Sequence, residues 1–375
     1  MDELSNHTIE HVAFKMTERH YPRPIGWNAK VGPHGRSRKV NTCTLITDQG
    51  VSGWGYCGLG EDEIRAFVGR PLTDLFHLAL GSTLGARCID IALHDLAGNI
   101  LGLPVWKMLG GTDNQIPIYT GAIYFDDINP KGEDPGIDAV LESCAQDAAA
   151  GHAHFKLKIG RGFKWMEKAV GDARDIDVTR LVRAHYPEAK ILVDANDGYD
   201  PDGICQYLEA VSECGLYWVE EPFTETVAGL EQLRAKLQAV SPTTLIADGE
   251  DRNGRLEDPL GFFGKWQADH IDELYDLCER KLLDVILPDV GAMGFTPWRH
   301  VMRKLISIGA QGSPHAWSEP FKSWYAAQIG CAYGNVPIVE GVPGYVDGVD
   351  DSAYVVENGM LTLPDKPGFG MDLVE

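Results

Sequence analysis

The sequence lacks any uninterrupted apolar stretch of the length that crosses a membrane, about 20 residues. Its first residues, Met1 to Ser5, also lack the basic and then apolar segments of a secretory signal peptide. These absences argue against a membrane partner and against export. We therefore expect a cytoplasmic protein.

Closely spaced cysteine pairs are missing as well. The eight cysteines are scattered singly along 375 residues, and no Cys-x-x-Cys pair occurs. In a chain of this length the spacing excludes a disulfide framework and a cysteine-based zinc site. It indicates reduced thiols, most of them buried.

Positive charge is scarce. The chain has 33 Lys and Arg against 55 Asp and Glu, which gives a formal net charge of −22. The phosphates of a nucleic acid would be repelled, so we exclude a nucleic acid as partner. A small anionic substrate is not excluded, because the field at a binding site depends on the local charges. The apolar content of 44% supports sizeable cores, and the length favours two packed units.

The N-terminal part of the chain shows no strand–helix repeat. Val40–Thr47 and Val51–Tyr56, around a short turn, predict an antiparallel hairpin. Leu84–Leu101 carries apolar residues at helical spacing. We predict a separate α+β unit over residues 1–115, with residues 345–375 packing back onto it.

From residue 116 the chain repeats a short apolar run, a polar residue and a segment long enough for a helix and a return to a parallel strand. The polar residues that end or directly follow these runs are Lys158, Asp194, Glu220, Glu250, Asp289, His315 and Glu340. The pattern predicts an α/β barrel over residues 116–344. The active site of such a barrel lies at the carboxyl ends of its strands.

One segment exceeds what the repeat requires. Asp251 to Asp272 is longer than the return to a sixth strand needs. We interpret it as an insertion outside the catalytic core, which covers the site or contacts another subunit. We expect the protein to be a homo-oligomer.

Three carboxylates, Asp194, Glu220 and Glu250, follow three successive predicted strands. Hard dications prefer oxygen ligands, and Mg²⁺ is held by a few carboxylates while it keeps positions for water or substrate. A single acid after a strand more often caps the next helix. Three acids after three successive strands favour a metal site, and we predict that they bind one Mg²⁺.

Other acids flank these three and compete for the same role. Glu221 follows Glu220 directly, and strand alternation is expected to send it to the opposite side of the sheet. Asp248 and Asp251 flank Glu250 in less regular backbone, where alternation does not decide between them.

Lys156 and Lys158 are two residues apart on one predicted strand, so both side chains face the same way, into the barrel. Buried lysine is rare unless it is paired. Two lysines opposite three acids therefore indicate a site. Desolvation and a neighbouring cation both lower the pKa of a lysine, which suits it to act as a base.

Asp289 and His315 follow the sixth and seventh predicted strands, which are neighbours in a barrel. A carboxylate on one ring nitrogen would orient the imidazole and leave the other nitrogen for proton transfer. Glu340, on the last strand, completes the ring as a hydrogen-bond donor or acid, or as a capping group.

In this order the residues resemble the enolase superfamily, in its mandelate racemase subgroup. The motifs that carry the resemblance are Lys156-Leu157-Lys158, Asp194-Ala195-Asn196, Glu220-Glu221-Pro222, Gly249-Glu250, Pro288-Asp289 and His315. The segments Cys88 to Gly111 and Pro364 to Leu373 are similar to the helix that enters the family's barrel and to its ending. The resemblance implies an α+β capping domain over a modified (β/α)₇β barrel, and one Mg²⁺ per subunit. It also implies abstraction of the proton α to a carboxylate through a stabilised enediolate.

The residues support more than one activity of this kind. Lys158 and His315 would reach opposite faces of the α-carbon, while Mg²⁺, Lys156 and Glu340 stabilise the developing charge. We favour dehydration of an acid sugar to a 2-keto-3-deoxy acid. A racemase, an epimerase or a lactone cycloisomerase uses the same groups. A non-catalytic binding protein and a Schiff-base aldolase that uses Lys158 are further alternatives. Which of Lys158 and His315 abstracts the proton stays open.

One N-terminal segment is a candidate for contact with the substrate. The segment His20–Arg38 is rich in Gly, Pro, Arg and aromatic residues, and the resemblance implies that it closes over the substrate. The candidate binding residues are Arg23, Trp27 and Lys30, with Asn196 from the barrel. Their basic character suits a second carboxylate or several hydroxyl groups. An exposed loop with no binding role is the alternative.

Overall fold

The N-terminal part of the protein is an antiparallel sheet with helices packed on it. In this computed structural model the described residues are 3–129, 132–250, 269–318 and 320–374. The elements of this part are β1 (Ile9–Ile25), β2 (Gly35–Thr47), β3 (Ser52–Tyr56), α1 (Glu61–Ile64), α2 (Leu72–Leu75), β4 (Phe76–His77), β5 (Gly81–Ser82), α3 (Asp90–Leu101) and α4 (Val105–Met108). Strands pair in the order β1–β2–β3.

The predicted hairpin is confirmed as β2 and β3, and the predicted helix over Leu84–Leu101 divides into a 3₁₀ turn, Leu84–Ile89, and α3. Helix α3 lies directly on β3, and the contact depends on glycine. A Cβ atom at Gly53 would lie 2.2 Å from the backbone nitrogen of Leu96. No larger residue fits there, so Gly53 sets the distance between helix and sheet.

The second part contains parallel strands that alternate with helices. The strands are β6 (Gln115–Ile123), β7 (Phe155–Lys158), β8 (Ile191–Asp194), β9 (Trp218–Glu220), β10 (Leu245–Asp248), β11 (Val285–Ile286), β12 (Gln311–Gly312) and β13 (Val339–Gly341). The helices are α5 (Asp138–Ala149), α6 (Arg161–Lys164), α7 (Lys168–His185), α8 (Pro201–Ala210), α9 (Val227–Val240), α10 (Asp269–Glu279), α11 (Val290–Met293), α12 (Phe295–Ile308) and α13 (Pro320–Tyr333).

These strands curve into a barrel. Strands β6 to β12 pair in chain order, and β13 pairs in parallel with β6. At the remaining seam, Ser313 Oγ donates to the carbonyl of Ile338 at 2.7 Å. The fold is therefore α/β and TIM-barrel-like with a capping unit, as the sequence predicted.

Side-chain alternation places charge and apolar groups on opposite sides of the strands. On β7, Phe155 and Leu157 pack into the layer between strands and helices, while Lys156 and Lys158 point into the barrel. The barrel interior below these lysines is filled by a separate apolar cluster: Tyr119, Leu192, Trp218, Ala247, Val285, Leu287 and Ile338. The two lysines thus lie above this cluster, toward the carboxyl ends of the strands.

The C-terminal residues contact both parts of the chain. Their strands are β14 (Tyr345–Val346), β15 (Val349–Asp350), β16 (Val355–Glu357), β17 (Met360–Thr362) and β18 (Asp372–Leu373). Strand β14 pairs with β1 of the capping unit, and β17 adds antiparallel to β6 of the barrel. The tail therefore reaches the barrel as well as the capping unit, which the sequence did not predict.

Three further predictions concern the chain as a whole. The eight cysteines, all within the described residues, are free thiols, and six of them are buried. None of the helices described is both long and apolar enough to cross a membrane. Most of the predicted insertion, residues 251–268, lies outside the described residues, and Asp269–Asp272 form the start of α10.

Candidate active site

The carboxyl ends of β7, β8, β9 and β13 bring two lysines and three carboxylates together. Lys156 Nζ lies 2.6 Å from Glu220 Oε1, 3.0 Å from Glu340 Oε1 and 3.3 Å from Asp194 Oδ2. Lys158 Nζ lies 2.5 Å from the same Asp194 oxygen. The register explains the convergence, because Lys158, Asp194 and Glu220 are neighbours across the β7–β8–β9 ladder.

Burial makes these charges strongly interdependent. Burial works against ionisation of Lys156, but Glu220 and Glu340 outweigh it and raise the pKa of this lysine. Burial likewise opposes ionisation of Asp194, yet Lys158 and Lys156 hold its pKa below the ordinary value. Burial raises the pKa of Glu220 to about 8. The cluster therefore favours a cation among its carboxylates.

This donor set fits a divalent metal in its chemistry. Asp194 and Glu220 end adjacent strands, and both already contact one cationic group, the Lys156 ammonium. Carboxylate oxygens are the ligands that Mg²⁺ prefers. In the part of the chain that the structure describes, no three acidic, histidine or cysteine groups are close enough to hold an ion as they stand. Glu250 points instead toward His315, so the third predicted ligand would have to turn.

His315, which follows β12, contacts three acids. Its Nδ1 lies 2.9 Å from Asp289 Oδ2, and its Nε2 lies 3.2 Å from Glu250 Oε2 and 3.5 Å from Glu340 Oε2. Burial alone would lower the pKa of His315, but Glu250, Glu340 and Asp289 raise it to about 9. The predicted His–Asp pair is thus formed, with Asp289 on the ring nitrogen that faces away from Glu250.

A lysine from α13 completes the Asp289 environment. Lys322 Nζ lies 3.1 Å from Asp289 Oδ2, the same oxygen that contacts His315. Burial opposes ionisation of Asp289, and Lys322 and His315 together hold its pKa below the ordinary value. No sequence motif had marked Lys322, which lies 33 positions after Asp289.

A cavity of about 160 Å³ opens above these groups. Its lining residues are Asn28, Lys30, Val31, His34, Tyr124, Lys158, Asn196, Glu221, Glu250, His315 and Trp317. Lys158 and His315 therefore face one cavity, as the sequence predicted. Capping-unit residues supply its roof and strand ends supply its floor.

Glu221 corrects the expectation from strand alternation. Strand β9 ends at Glu220, and Glu221 has a φ of 40°, in the left-handed region. The backbone therefore leaves the pleat, and Glu221 lines the cavity instead of facing away. There its Oε2 accepts a hydrogen bond from Asn196 Nδ2 at 3.2 Å.

Asn196 lies where a substrate-binding residue was expected. It also has a positive φ, 44°, and it lines the cavity. Its Oδ1 is buried and makes no hydrogen bond to any of the described residues. A buried acceptor without a partner costs free energy, so this oxygen is suited to a ligand or a water molecule.

The three predicted residues of the capping loop differ in position. Lys30 lines the cavity, and its ammonium is paired with Asp197. Trp27 bridges to Phe125 through the backbone and does not line the cavity. Arg23 is buried in an ion pair with Asp147 and donates to the carbonyl of Ala122 at 3.0 Å. The structure thus does not bring Arg23 to the cavity, because a buried acid pairs with its charge, and its predicted contact with substrate stays a prediction.

The roof loop is attached to the barrel by several hydrogen bonds. Trp165 Nε1 donates to Asn28 O at 2.6 Å, Lys164 Nζ donates to Lys30 O at 3.1 Å, and Phe125 N donates to Trp27 O at 2.9 Å. These donors follow β6 and β7. The loop thus covers the strand ends in a defined position.

Three aromatic rings form one wall of the cavity, and the sequence had not assigned them a role. His34 packs edge-on against Tyr124 and Trp317, with ring centroids 4.9 Å and 4.7 Å away. Tyr124 follows β6, and Trp317 is two residues after His315. The strand-end rule that identified the acids could have marked both, but aromatic residues are usually assigned to cores.

Comparisons with known proteins find a matching family and relatives over most of the chain. The sequence profile of the enolase C-terminal domain-like family matches residues 139–257 and 265–375. The D-galactarolactone cycloisomerase of Agrobacterium fabrum is 26% identical over 368 residues, 93% of this chain and 85% of that protein. The D-xylonate dehydratase of Haloferax volcanii is 23% identical over 367 residues, 88% of this chain and 82% of that protein.

Solved structures are similar over nearly the whole chain. A galacturonate dehydratase from a Geobacillus species, in complex with D-galacturonate and 5-keto-4-deoxy-D-galacturonate, has a TM-score of 0.88 and 29% identity. The match covers 98% of this chain and 95% of that chain. A mutant of the same dehydratase was crystallised with Mg.

Proposed function

Since this chain belongs to the enolase C-terminal domain-like family, we propose that it is an acid-sugar dehydratase that forms 2-keto-3-deoxy acids. The family predicted from the sequence is thereby confirmed, and the specific reaction is our inference. The observation that carries it is the position of Lys158 and His315, which end different strands and line one cavity. A dehydration needs two such groups.

Lys158 and His315 can supply both proton transfers of the dehydration. One of them takes the proton from the carbon next to the carboxylate, and the electron pair forms a carbon–carbon double bond. The hydroxyl group on the β-carbon leaves as water with a proton from the other group. The resulting enol then becomes the 2-keto acid by tautomerisation.

Abstraction of the α-proton is difficult because a second negative charge develops on the substrate carboxylate. Lys156 lies in the carboxylate cluster as a cation and is suited to stabilise that charge. Asp194, Glu220 and Glu250 would hold a Mg²⁺ ion, which supplies Lewis-acid stabilisation when bound. Asp289 orients His315 through its Nδ1 nitrogen.

A lactone cycloisomerase, or a racemase or epimerase, is the second candidate. The D-galactarolactone cycloisomerase relative supports it, since it aligns with most of this chain. The same base would start either reaction. The two differ in whether a β-hydroxyl departs as water, which product analysis decides.

We also propose the domain organisation that the sequence suggested. The capping unit comprises residues 1–115 with residues 345–375, and residues 116–344 form a (β/α)₇β barrel. In its support, no helix follows β13 among the described residues before the chain returns to β1 through β14. A homo-oligomer stays a prediction.

The test is a screen of acid sugars with the Mg²⁺-loaded protein, with detection of 2-keto acids. We expect at least one acid sugar to give a 2-keto-3-deoxy product. For that substrate, Lys158→Met and His315→Asn should each lower turnover by about 10²–10⁴-fold, the usual contribution of general acid–base catalysis.

The two variants also show which group abstracts the proton. In D₂O the variant that keeps the base should still exchange the α-proton, and the other should not. Isomerised substrate without keto acid would favour the second candidate. Wild-type turnover in both variants would contradict the whole site.

A further inference from the structure

The roof of the cavity carries little charge that is available to a substrate. No arginine lines the cavity among the described residues. Lys30 is paired with Asp197, and the proposed function assigns Lys158 to proton transfer. Arg23, the other basic residue predicted to bind the substrate, is paired with Asp147. Glu221, an acid that the proposed function does not assign to the metal, also faces the cavity.

His34 supplies a neutral acceptor in the same roof. Its Nδ1 lies 2.9 Å from the carbonyl oxygen of Gly26. A carbonyl only accepts, so Nδ1 carries the hydrogen, and in the neutral ring Nε2 is then an acceptor. Burial lowers the pKa of His34, and the nearby cations Lys158 and Arg38 add to the effect. The ring is held against Tyr124 and Trp317.

We propose that this roof selects acid sugars with a single carboxylate, and that a substrate hydroxyl group donates a hydrogen bond to His34 Nε2. The inference rests on the proposed function, because it assumes that the first carboxylate is bound at the Lys156 cluster. A second carboxylate would meet the paired Lys30, the acid Glu221 and an acceptor nitrogen, and would lose its hydration without a cationic partner. A hydroxyl group meets an acceptor and an aromatic wall instead.

The first experiment compares matched substrates. Aldonates or uronates are paired with the dicarboxylates of the same hydroxyl configuration, and kcat/KM is measured with the Mg²⁺-loaded protein. We expect the monocarboxylate of a pair to be preferred by at least about ten-fold. Equal or better turnover of the dicarboxylates would overturn the proposal.

The second experiment replaces the acceptor. His34→Phe keeps the ring against Tyr124 and Trp317 and removes Nε2. It should lower kcat/KM by about 5- to 100-fold, the effect of a hydrogen bond left unmade in a closed site. A series of deoxy analogues provides the control, because the analogue that lacks the hydroxyl bound by His34 should be insensitive to the substitution. An equal loss for all analogues would show that His34 acts only through packing.

The third experiment weakens the pairing of a cation. Asp197→Asn removes one charged partner of Lys30 and should shift the preference toward the dicarboxylate by about three-fold or more. Glu209→Gln is the matched control, since Glu209 is an exposed acid on α8 paired with Lys236 at 2.8 Å. An unchanged preference in Asp197→Asn would count against the role of the paired Lys30.

Failure of the proposed function is distinguishable from failure of this inference. If no acid sugar is turned over, binding of the matched pairs to the Mg²⁺-loaded protein is measured by calorimetry. Tighter binding of the monocarboxylates would support the selection even though dehydration had failed. Equal binding of both members, or no binding of either, would refute it.

Discussion

Arg19 of β1 connects the capping unit to the loop that carries His315. Its guanidinium donates to the carbonyl of Ser318, and also to those of Val342 and Pro343 at 2.9 Å and 3.2 Å. Tyr21 donates to the same Ser318 carbonyl at 3.0 Å. Ser318 has a φ of 79°, a costly conformation for a residue other than glycine. We predict that Arg19 maintains this loop conformation.

The loss of stability on removal of the Arg19 guanidinium follows from its hydrogen bonds. In an Arg19→Met variant the Ser318 carbonyl keeps Tyr21, whereas Val342 and Pro343 lose their donor. A hydrogen bond from a charged donor contributes about 1.5–3 kcal/mol, so the free energy of unfolding should fall by about 3–6 kcal/mol. Typical domains have only about 5–15 kcal/mol in total. Urea unfolding measures this change.

The activity of the same variant tests the link to the site. We expect kcat to fall together with stability, because His315 and Trp317 precede Ser318 in the loop. Arg19→Lys keeps one charged donor and should restore part of both losses. Lys15→Met, at an exposed position of the same strand, is the control. An Arg19→Met variant within about 0.5 kcal/mol of the wild type would refute the reasoning.

Two other predictions concern metal binding and pH. Glu220→Gln keeps the shape of a buried side chain but removes a carboxylate ligand. Calorimetry should show that the affinity for Mg²⁺ falls at least about 100-fold. An unchanged affinity would place the ion elsewhere. His152 is buried, and burial lowers its pKa to about 4. The folded state therefore favours the neutral ring, so its contribution to stability is complete above pH 6.5 and is lost as the pH falls toward 4. Urea unfolding between these values should show a slope that decreases in His152→Gln, while other histidines with lowered pKa values still contribute. The exposed His11→Gln is the control, and a slope unchanged in His152→Gln would contradict this assignment.

The sequence alone predicted which polar side chains meet at the carboxyl ends of the barrel strands. Each barrel strand is short and apolar and is followed by a polar residue, and parallel strands must bring those residues to one face. The contacts among Lys156, Asp194 and Glu220, and the pair of His315 with Asp289, follow from that rule. The spacing of Lys156 and Lys158 predicted correctly that both enter the barrel, because alternation holds within a regular strand.

Only the tertiary structure decided where the side chains of residues outside regular strands lie. Glu221 enters the cavity because its backbone leaves the pleat directly after Glu220. Arg23 is directed away by Asp147, which is 124 positions distant, and no local pattern contains that information. The roles of Arg19 and His34 likewise depend on partners supplied by remote segments. Local periodicity predicts what a strand presents, whereas charge pairing across the fold determines which charges are left for a substrate.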